Sequence, residues 1–557
     1  MGAEESHIPL KRVPQSFGYL AVVFKMPDNI QVIHGGENEH SVIEHVISNT
    51  WKEGIQATKQ KCAGSVLCFK LNGLPYETGM LSLNIREVAC RILRCLHNIG
   101  WQYLVAANLT KCRQWFTLIF VHKETQRISQ ELAYVAMSSN DKLHFCNLQQ
   151  HTLDEICHSL RHSEHQPGIT FEDSTDGLKN YEVQLNGLLW SSTTALHAEA
   201  RAILTKIFIV MMKRYSFLCA MNLKRTEDAF VFVPKSIHYD TTTEFFIISL
   251  RKTSKIQVYK EAPDHLIPII HLALVDAFGK MSHAIEKIID HQSGKVEFKY
   301  KSHTEKDPDA LCTMTKFIVC KLLEALKSHG WSIVTGFDMS RKLSNKSELL
   351  FQKSSPHPDC KVFCLSPVRK SKLCVINAPP KIINACRKVI STRWHLPLIS
   401  ETQYAVPATC VSFELGGKPW SDSSDCAYFS HSMFLHLLEE FFHKGFKINL
   451  TADVIPESME YDEGVSSSHD PNAWWFMLEP QIVMTDASYP GDWKSEVPPL
   501  AQVLSDDFRQ TPVPDVHVNP NEPQNRTEPM MPTDTQLYED CPPSYEMIMM
   551  EREQKQD

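Results

Sequence analysis

The chain has 557 residues, 43% of them apolar and 22% charged, which is an ordinary globular composition and too much chain for one hydrophobic core. Its net charge of -8 is uneven, because 15 acidic and 5 basic residues fall from Asp486 onward and leave the preceding body near +2. A body without basic excess argues against a dedicated nucleic-acid surface, and no apolar run approaches the roughly 18 to 20 residues of a membrane span.

At the N-terminus, Met1-Gly2-Ala3-Glu4-Glu5-Ser6 fits the N-myristoylation pattern with Gly2 as acceptor, and Lys11-Arg12 follows. A single acyl chain beside so weak a basic patch gives only marginal membrane association. Next, Phe17 to Phe24 and Asn29 to Ile33 read as a hairpin, followed by a helix ending in Ile47-Ser-Asn-Thr-Trp51. Phe69 to Tyr76, FKLNGLPY, alternates apolar and polar residues into a Gly turn closed by Pro and an aromatic. Ile85, Val88, Ala89, Ile92, Leu96 and Ile99 then share one face of a core-facing helix that stops at Gly100. Two strands, Trp101 to Ala107 and Trp115 to Val121, complete the pattern.

The pattern recurs three times. The turn reappears as Tyr181 to Trp190 (YEVQLNGLLW), degenerately as Val296 to Lys301 (VEFKYK), and as Val411 to Trp420 (VSFELGGKPW). Gly73 and Gly187 are 114 residues apart, and Gly187 and Gly417 are 230 apart, or two periods. The helix-to-strand junctions Gly100-Trp101, Arg214-Tyr215, Gly330-Trp331 and Gly445-Phe446 keep intervals of 114, 116 and 115. Asn108, Asn222, Asp338 and Asp453 at the strand ends keep the same intervals, so three independent landmarks share one period.

The predicted fold is therefore α+β: four tandem repeats of about 115 residues, each hairpin, helix, strand, helix and two strands, with antiparallel pairing favoured by the hairpins. The expected boundaries are a flexible N-terminus at 1–15, repeat units at 16–128, 129–242, 243–356 and 357–485, and a disordered tail at 486–557. The tail is acidic, with eleven prolines from Tyr489 onward, and buries too little apolar surface to offset chain entropy. How the units pack is not readable from the sequence.

No catalytic signature emerges. Asp338 and Asp453 could be carboxylate catalysts, but Asn at the equivalent sites fits turn-capping better. His34, His40 and His45 cross a Gly-Gly turn without completing a ligand set, and read as surface histidines rather than metal ligands. Cys360 and Cys364 alternate with apolar residues as core positions do. The 17 cysteines include no CxxC pair, which favours buried free thiols in a cytoplasmic protein. Neither GxGxxG nor GxxxxGK occurs, so no phosphate loop or other cofactor site is indicated. Trp51, Trp101, Trp331, Trp394 and Trp420 sit at repeated positions, where a core role outweighs base stacking.

The tail carries two short motifs. Pro542-Pro543-Ser544-Tyr545 looks like the PPxY ligand of WW domains, in which a polyproline II segment docks on an aromatic groove and the tyrosine fills a neighbouring pocket. Its resemblance to PPxY-bearing adaptors implies the WW domains of HECT-type ubiquitin ligases as partners. Tyr545-Glu546-Met547-Ile548 also resembles a YxxΦ sorting signal for clathrin adaptors, using Tyr545 and Ile548, and cannot be occupied together with the first motif. The expectation is a non-enzymatic cytoplasmic adaptor or scaffold. The alternative is an enzyme, or a nucleotide- or nucleic-acid-binding protein, with its site in a cleft between repeat units.

Overall fold

The computed structural model describes residues 18–76, 81–110, 115–123, 126–138, 141–161, 171–173, 180–185, 196–224, 227–235, 244–251, 255–259, 261–279, 285–290, 294–300, 308–337, 346–404, 409–420, 425–452 and 471–479, all within one compact unit, Met1–Phe508. The first repeat runs β1 (Tyr19–Lys25), β2 (Asn29–Ile33), α1 (Glu37–Thr50), β3 (Ile55–Lys61), β4 (Val66–Leu71), α2 (Leu81–Asn98), β5 (Trp101–Ala107) and β6 (Trp115–His122). The second runs β7 (Ala133–Ser138), β8 (Lys142–Cys146), α3 (Gln150–Arg161), β9 (Phe171–Asp173), β10 (Asn180–Gln184), α4 (Leu196–Arg214), β11 (Tyr215–Lys224) and β12 (Glu227–Pro234). The third runs β13 (Phe245–Arg251), β14 (Lys255–Val258), α5 (Leu266–Phe278), β15 (Ile285–Asp290), β16 (Lys295–Tyr300), α6 (Pro308–Ser328), β17 (Trp331–Phe337) and β18 (Lys346–Lys353). The fourth runs β19 (Val362–Val368), β20 (Lys372–Ile376), α7 (Pro380–Arg393), β21 (Leu398–Tyr404), β22 (Cys410–Leu415), α8 (Asp425–Phe442), β23 (Phe446–Ala452) and β24 (Ala473–Leu478).

Each repeat forms one six-stranded antiparallel sheet in the same order, β3-β4-β2-β1-β6-β5 in the first. The α+β assignment and the fourfold repetition hold, but one expected feature does not. A hairpin, not a single strand, separates the two helices, because β3, β9, β15 and β21 form an outer edge on each sheet. The sequence hid these strands for a physical reason: β21 is exposed along its whole length and β3 nearly so, so neither carries the apolar alternation that marks a half-buried strand.

The turn read from sequence is held in the same way three periods apart. Gly73 and Gly417 adopt φ of +72° and +80°, conformations open to glycine without a Cβ clash. In both copies an indole closes the turn: Trp51 Nε1 donates to the Asn72 carbonyl at 3.0 Å, and Trp394 Nε1 to the Gly416 carbonyl at 3.3 Å. These two tryptophans end the phrases Ile47 to Trp51 and Ile390 to Trp394, and both are buried, as are Trp101, Trp331 and Trp420.

The four repeats do not hang as separate beads. The helices of the first repeat share a core with the sheet of the second, where Leu132, Tyr134, Cys146, Met221 and Val231 join Val88, Ile92 and Leu96. The helices of the second pack on the third sheet at Phe245, Ile247, Phe337 and Leu350, and those of the third on the fourth sheet at Val362, Cys364, Ile376 and Trp475. Then the helices of the fourth, with Met433, Leu437 and Phe441, pack on the first sheet at Tyr19, Ala21, Val23 and Trp115, closing a ring. Every sheet is thus covered on both faces, which is why β19 (VFCLSPV) is buried at every position.

The second-to-third junction encloses an ion pair. Arg201 of α4 makes a two-pronged contact with Glu348 of β18, Nε to Oε2 at 2.8 Å with a second bond from Nη2, and both side chains are 1% exposed. The Ser249 hydroxyl donates to the same carboxylate, and the guanidinium lies 4.5 Å from the centre of the Tyr259 ring. Burial works against the Arg201 charge, but Glu348 holds its pKa above the ordinary value. Glu348→Ala removes the carboxylate that offsets the buried guanidinium and is expected to lower stability in urea unfolding by about 3–5 kcal/mol. The double change Arg201→Met with Glu348→Leu recovers most of the loss.

Candidate functional site: the centre and closure of the ring

The inner edge strands β5, β11, β17 and β23 converge at the middle of the ring, and each carries a bulge at the same point. The register slips between Tyr103 and Val105, Phe217 and Cys219, Ile333 and Thr335, and Ile448 and Leu450. The residues left over are Leu104, Leu218, Val334 and Asn449, and all four line a cavity of about 350 Å³. Two positions after each bulge residue stand Ala106, Ala220, Gly336 and Thr451, all small. A Cβ on Gly336 would come within 2.9 Å of Leu450 Cδ1 and 3.1 Å of the Thr451 carbonyl, so the third and fourth repeats meet there backbone to backbone. The Thr451 hydroxyl donates to the Ala106 carbonyl, joining the fourth repeat to the first.

Among the described residues the lining is polar but carries no carboxylate, histidine, lysine or arginine. Its hydrogen-bonding side chains are those of Tyr103, Ser216, Ser332, Thr335, Gln352, Asn449 and Thr451. Burial pushes the Tyr103 hydroxyl and the Cys219 thiol well above their usual pKa ranges, so neither ionises near neutrality. Such a space can hold about a dozen waters or a small uncharged hydrogen-bonding molecule. Among the described residues its hydroxyls have no carboxylate or imidazole beside them in the lining, and no lysine or arginine faces the space.

A second set of residues is built by the repeat itself. Arg86, Arg201, Lys316 and His431 follow one another at intervals of 115, one on each of α2, α4, α6 and α8. All four are buried, on helices whose buried residues are mostly apolar. At the second junction the partner is Glu348. At the closing junction His431 Nε2 lies 3.0 Å from the Thr117 hydroxyl, and by strand register Thr117 is the first repeat's equivalent of Glu348. The sequence showed these residues only as isolated charges on apolar helices; the signal that would have found them is their spacing at the repeat period.

The closing junction carries several polar contacts. The Tyr428 hydroxyl of α8 accepts from Gln31 Nε2 and from Lys61 Nζ, each at 3.1 Å. The Asn472 amide donates to the Asn108 carbonyl at 2.8 Å, and the Asn472 side chain accepts from the Asn108 amide. His34 Nε2 meets the Ser432 hydroxyl at 2.9 Å, and its ring lies 5.7 Å from that of His436. His34 is therefore half-buried in a junction rather than a solvated surface residue. It has φ of +63°, where Asn147 and Asn377 stand in the second and fourth repeats with φ of +54° and +59°. Those asparagines bond back to the Leu132 and Val362 carbonyls, so left-handed geometry at this strand end belongs to the repeat and histidine is the departure.

Other sequence candidates fall as follows. His40 and His45 lie in α1, neither fully exposed, and among the described residues no cluster of His, Cys, Asp or Glu is placed to hold a metal. Cys360 and Cys364 are buried and form no disulfide. Asn108 caps its turn, its side-chain oxygen accepting from the Thr110 amide at 3.0 Å. Asp338, Asp453, Gly2, Pro542, Pro543, Tyr545 and Ile548 lie outside the described residues, as does the tail.

One domain-family model matches the chain four times, over residues 18–121, 131–237, 244–352 and 361–477. The chain belongs to that domain family. Its four copies are the four sheets of the ring, one to each match. No curated protein and no solved structure gives a significant match. Among the described residues no helix is long and apolar enough to cross a membrane.

Two outcomes are expected here. Gly336→Val forces a branched side chain between β17 and β23 and is expected to cost about 1–3 kcal/mol in chemical denaturation, whereas Gly336→Ala costs less. The His34 pKa is lowered to about 3, first by burial and then by His436 and Arg393. A released His34 titrates near 6.5 and so takes up protons that the closed ring excludes; its contribution is complete above that value and is lost as pH falls toward about 3. Substituting His34→Asn is therefore expected to flatten the decline in melting temperature between pH 7 and pH 4.

Proposed function

We propose that the protein is a non-enzymatic scaffold in which the four-repeat ring carries a recruiting tail, and that Pro542-Pro543-Ser544-Tyr545 binds WW domains, those of HECT-type ubiquitin ligases first among them. The observation that carries this reading is the PPSY motif in an acidic, proline-rich terminal stretch, where a polyproline II segment meets its groove at small entropic cost. The central cavity supports it to the extent that its described lining holds hydroxyls and amides but no carboxylate, imidazole or cation to activate them. Tyr545 and Ile548 serve, on the same proposal, as a competing clathrin-adaptor signal. Acylation at Gly2 supplies weak membrane attachment to a protein that otherwise resides in the cytoplasm.

The test is retention of WW-domain ligases by the full chain. Tyr545→Ala is expected to abolish it, and Ile548→Ala to leave it unchanged while reducing adaptor binding. Retention that survives Tyr545→Ala contradicts the proposal.

A further inference from the structure

The four outer edge strands occupy one position in the repeat, so they can be compared directly. An unpaired edge offers a row of amides and carbonyls to any passing strand, and proteins commonly blunt it with lysines, mixed charges or brevity. Three edges follow that rule. β3 (IQATKQK) carries Lys59 and Lys61; β9 has only three residues; and β15 (IEKIID) sets Glu286, Lys287 and Asp290 along its length. β21 (LISETQY) does not follow it. It has seven residues, every one exposed, and no lysine. Leu398, Ile399 and Tyr404 stand out at 39%, 63% and 46% exposure.

Its one charge is cancelled within the repeat. Arg387 of α7 donates to Glu401 from Nε at 3.0 Å and from Nη2 at 2.6 Å, so the strand meets an incoming partner with no net charge. The bulge on β21 lies between Leu398 and Ser400, which leaves Ser400 to Tyr404 in regular register with β22, and among the described residues no strand pairs with their outer side.

We infer that β21 is a self-association edge, pairing antiparallel with β21 of a second copy about a twofold axis at Thr402. The sequence is self-complementary in that register. Thr402 faces its twin, Glu401 faces the partner's Gln403 and Ser400 faces the partner's Tyr404, so no like charges meet, and threonine pairs suit cross-strand contact. Two short strands bury well under the roughly 1,000 Å² of a permanent interface, so the dimer is weak and concentration-dependent.

Sedimentation velocity on the full chain from micromolar to submillimolar concentration, with hydrogen exchange on the same samples, tests this. The wild type is expected to shift from monomer toward dimer, with amide protection of Leu398 to Tyr404 rising in step. Ile399→Lys and Thr402→Lys, at exposed positions that leave the melting temperature in place, are expected to weaken association about tenfold or more. A wild type that stays monomeric, or a dimer indifferent to both lysines, overturns the inference. So does protection of β21 already complete in the dilute monomer, because another segment of the chain then covers the edge.

Discussion

The structure depends on the fact that each repeat has a helical layer with two apolar faces and only one sheet of its own. One face of α2, α4, α6 or α8 is buried on its own sheet, and the other must be covered by the sheet of a neighbour. In an open row of such units the last helical layer would face water. Packing the fourth layer on the first sheet removes that exposed face, and a head-to-tail contact whose rotation closes needs no capping element.

Closure has a consequence at the middle. Bringing four inner strands to one axis requires small residues where they touch, and Ala106, Ala220, Gly336 and Thr451 supply them. The bulge repeated in all four inner strands increases their local twist and turns their edges away from pairing with one another. What remains at the axis is a small neutral space rather than a fifth sheet. The junctions then differ in chemistry although they share geometry. An Arg–Glu pair fills the second, and tyrosine, histidine and asparagine contacts fill the last. Pairings unique to one junction help specify which repeat follows which, in the sense that Arg201 meets a carboxylate only on the third sheet, where the other sheets offer Thr117, Ala229 or Ala473.

How much of this was legible follows from what each residue feels. Repeat period, core helices, inner strands and buried tryptophans were readable because burial on an internal face leaves a periodic apolar trace, as in Phe446–Ala452. The outer strands were not, since an edge exposed on both faces, such as Leu398–Tyr404, obeys hydrogen bonding alone. Ring closure was illegible for another reason: the bond from Asn472 to Asn108 joins residues 364 apart in sequence, and nothing local to either announces it. The four buried basic residues fall between these cases. Each looks anomalous on its own helix, and only their common spacing of 115 shows them to be one feature. The tail motifs are sequence signals entirely, and lie outside the described residues.

The central claim is that the fourth repeat closes onto the first. It is tested most directly by placing a photoreactive amino acid at Tyr428, irradiating the monomer and mapping the adduct by mass spectrometry. The account predicts an intramolecular cross-link to the β2 to β3 region around Gln31 and Lys61, nearly four hundred residues away in sequence. Adducts confined to the third and fourth repeats would contradict it, and would describe an open row in place of a ring.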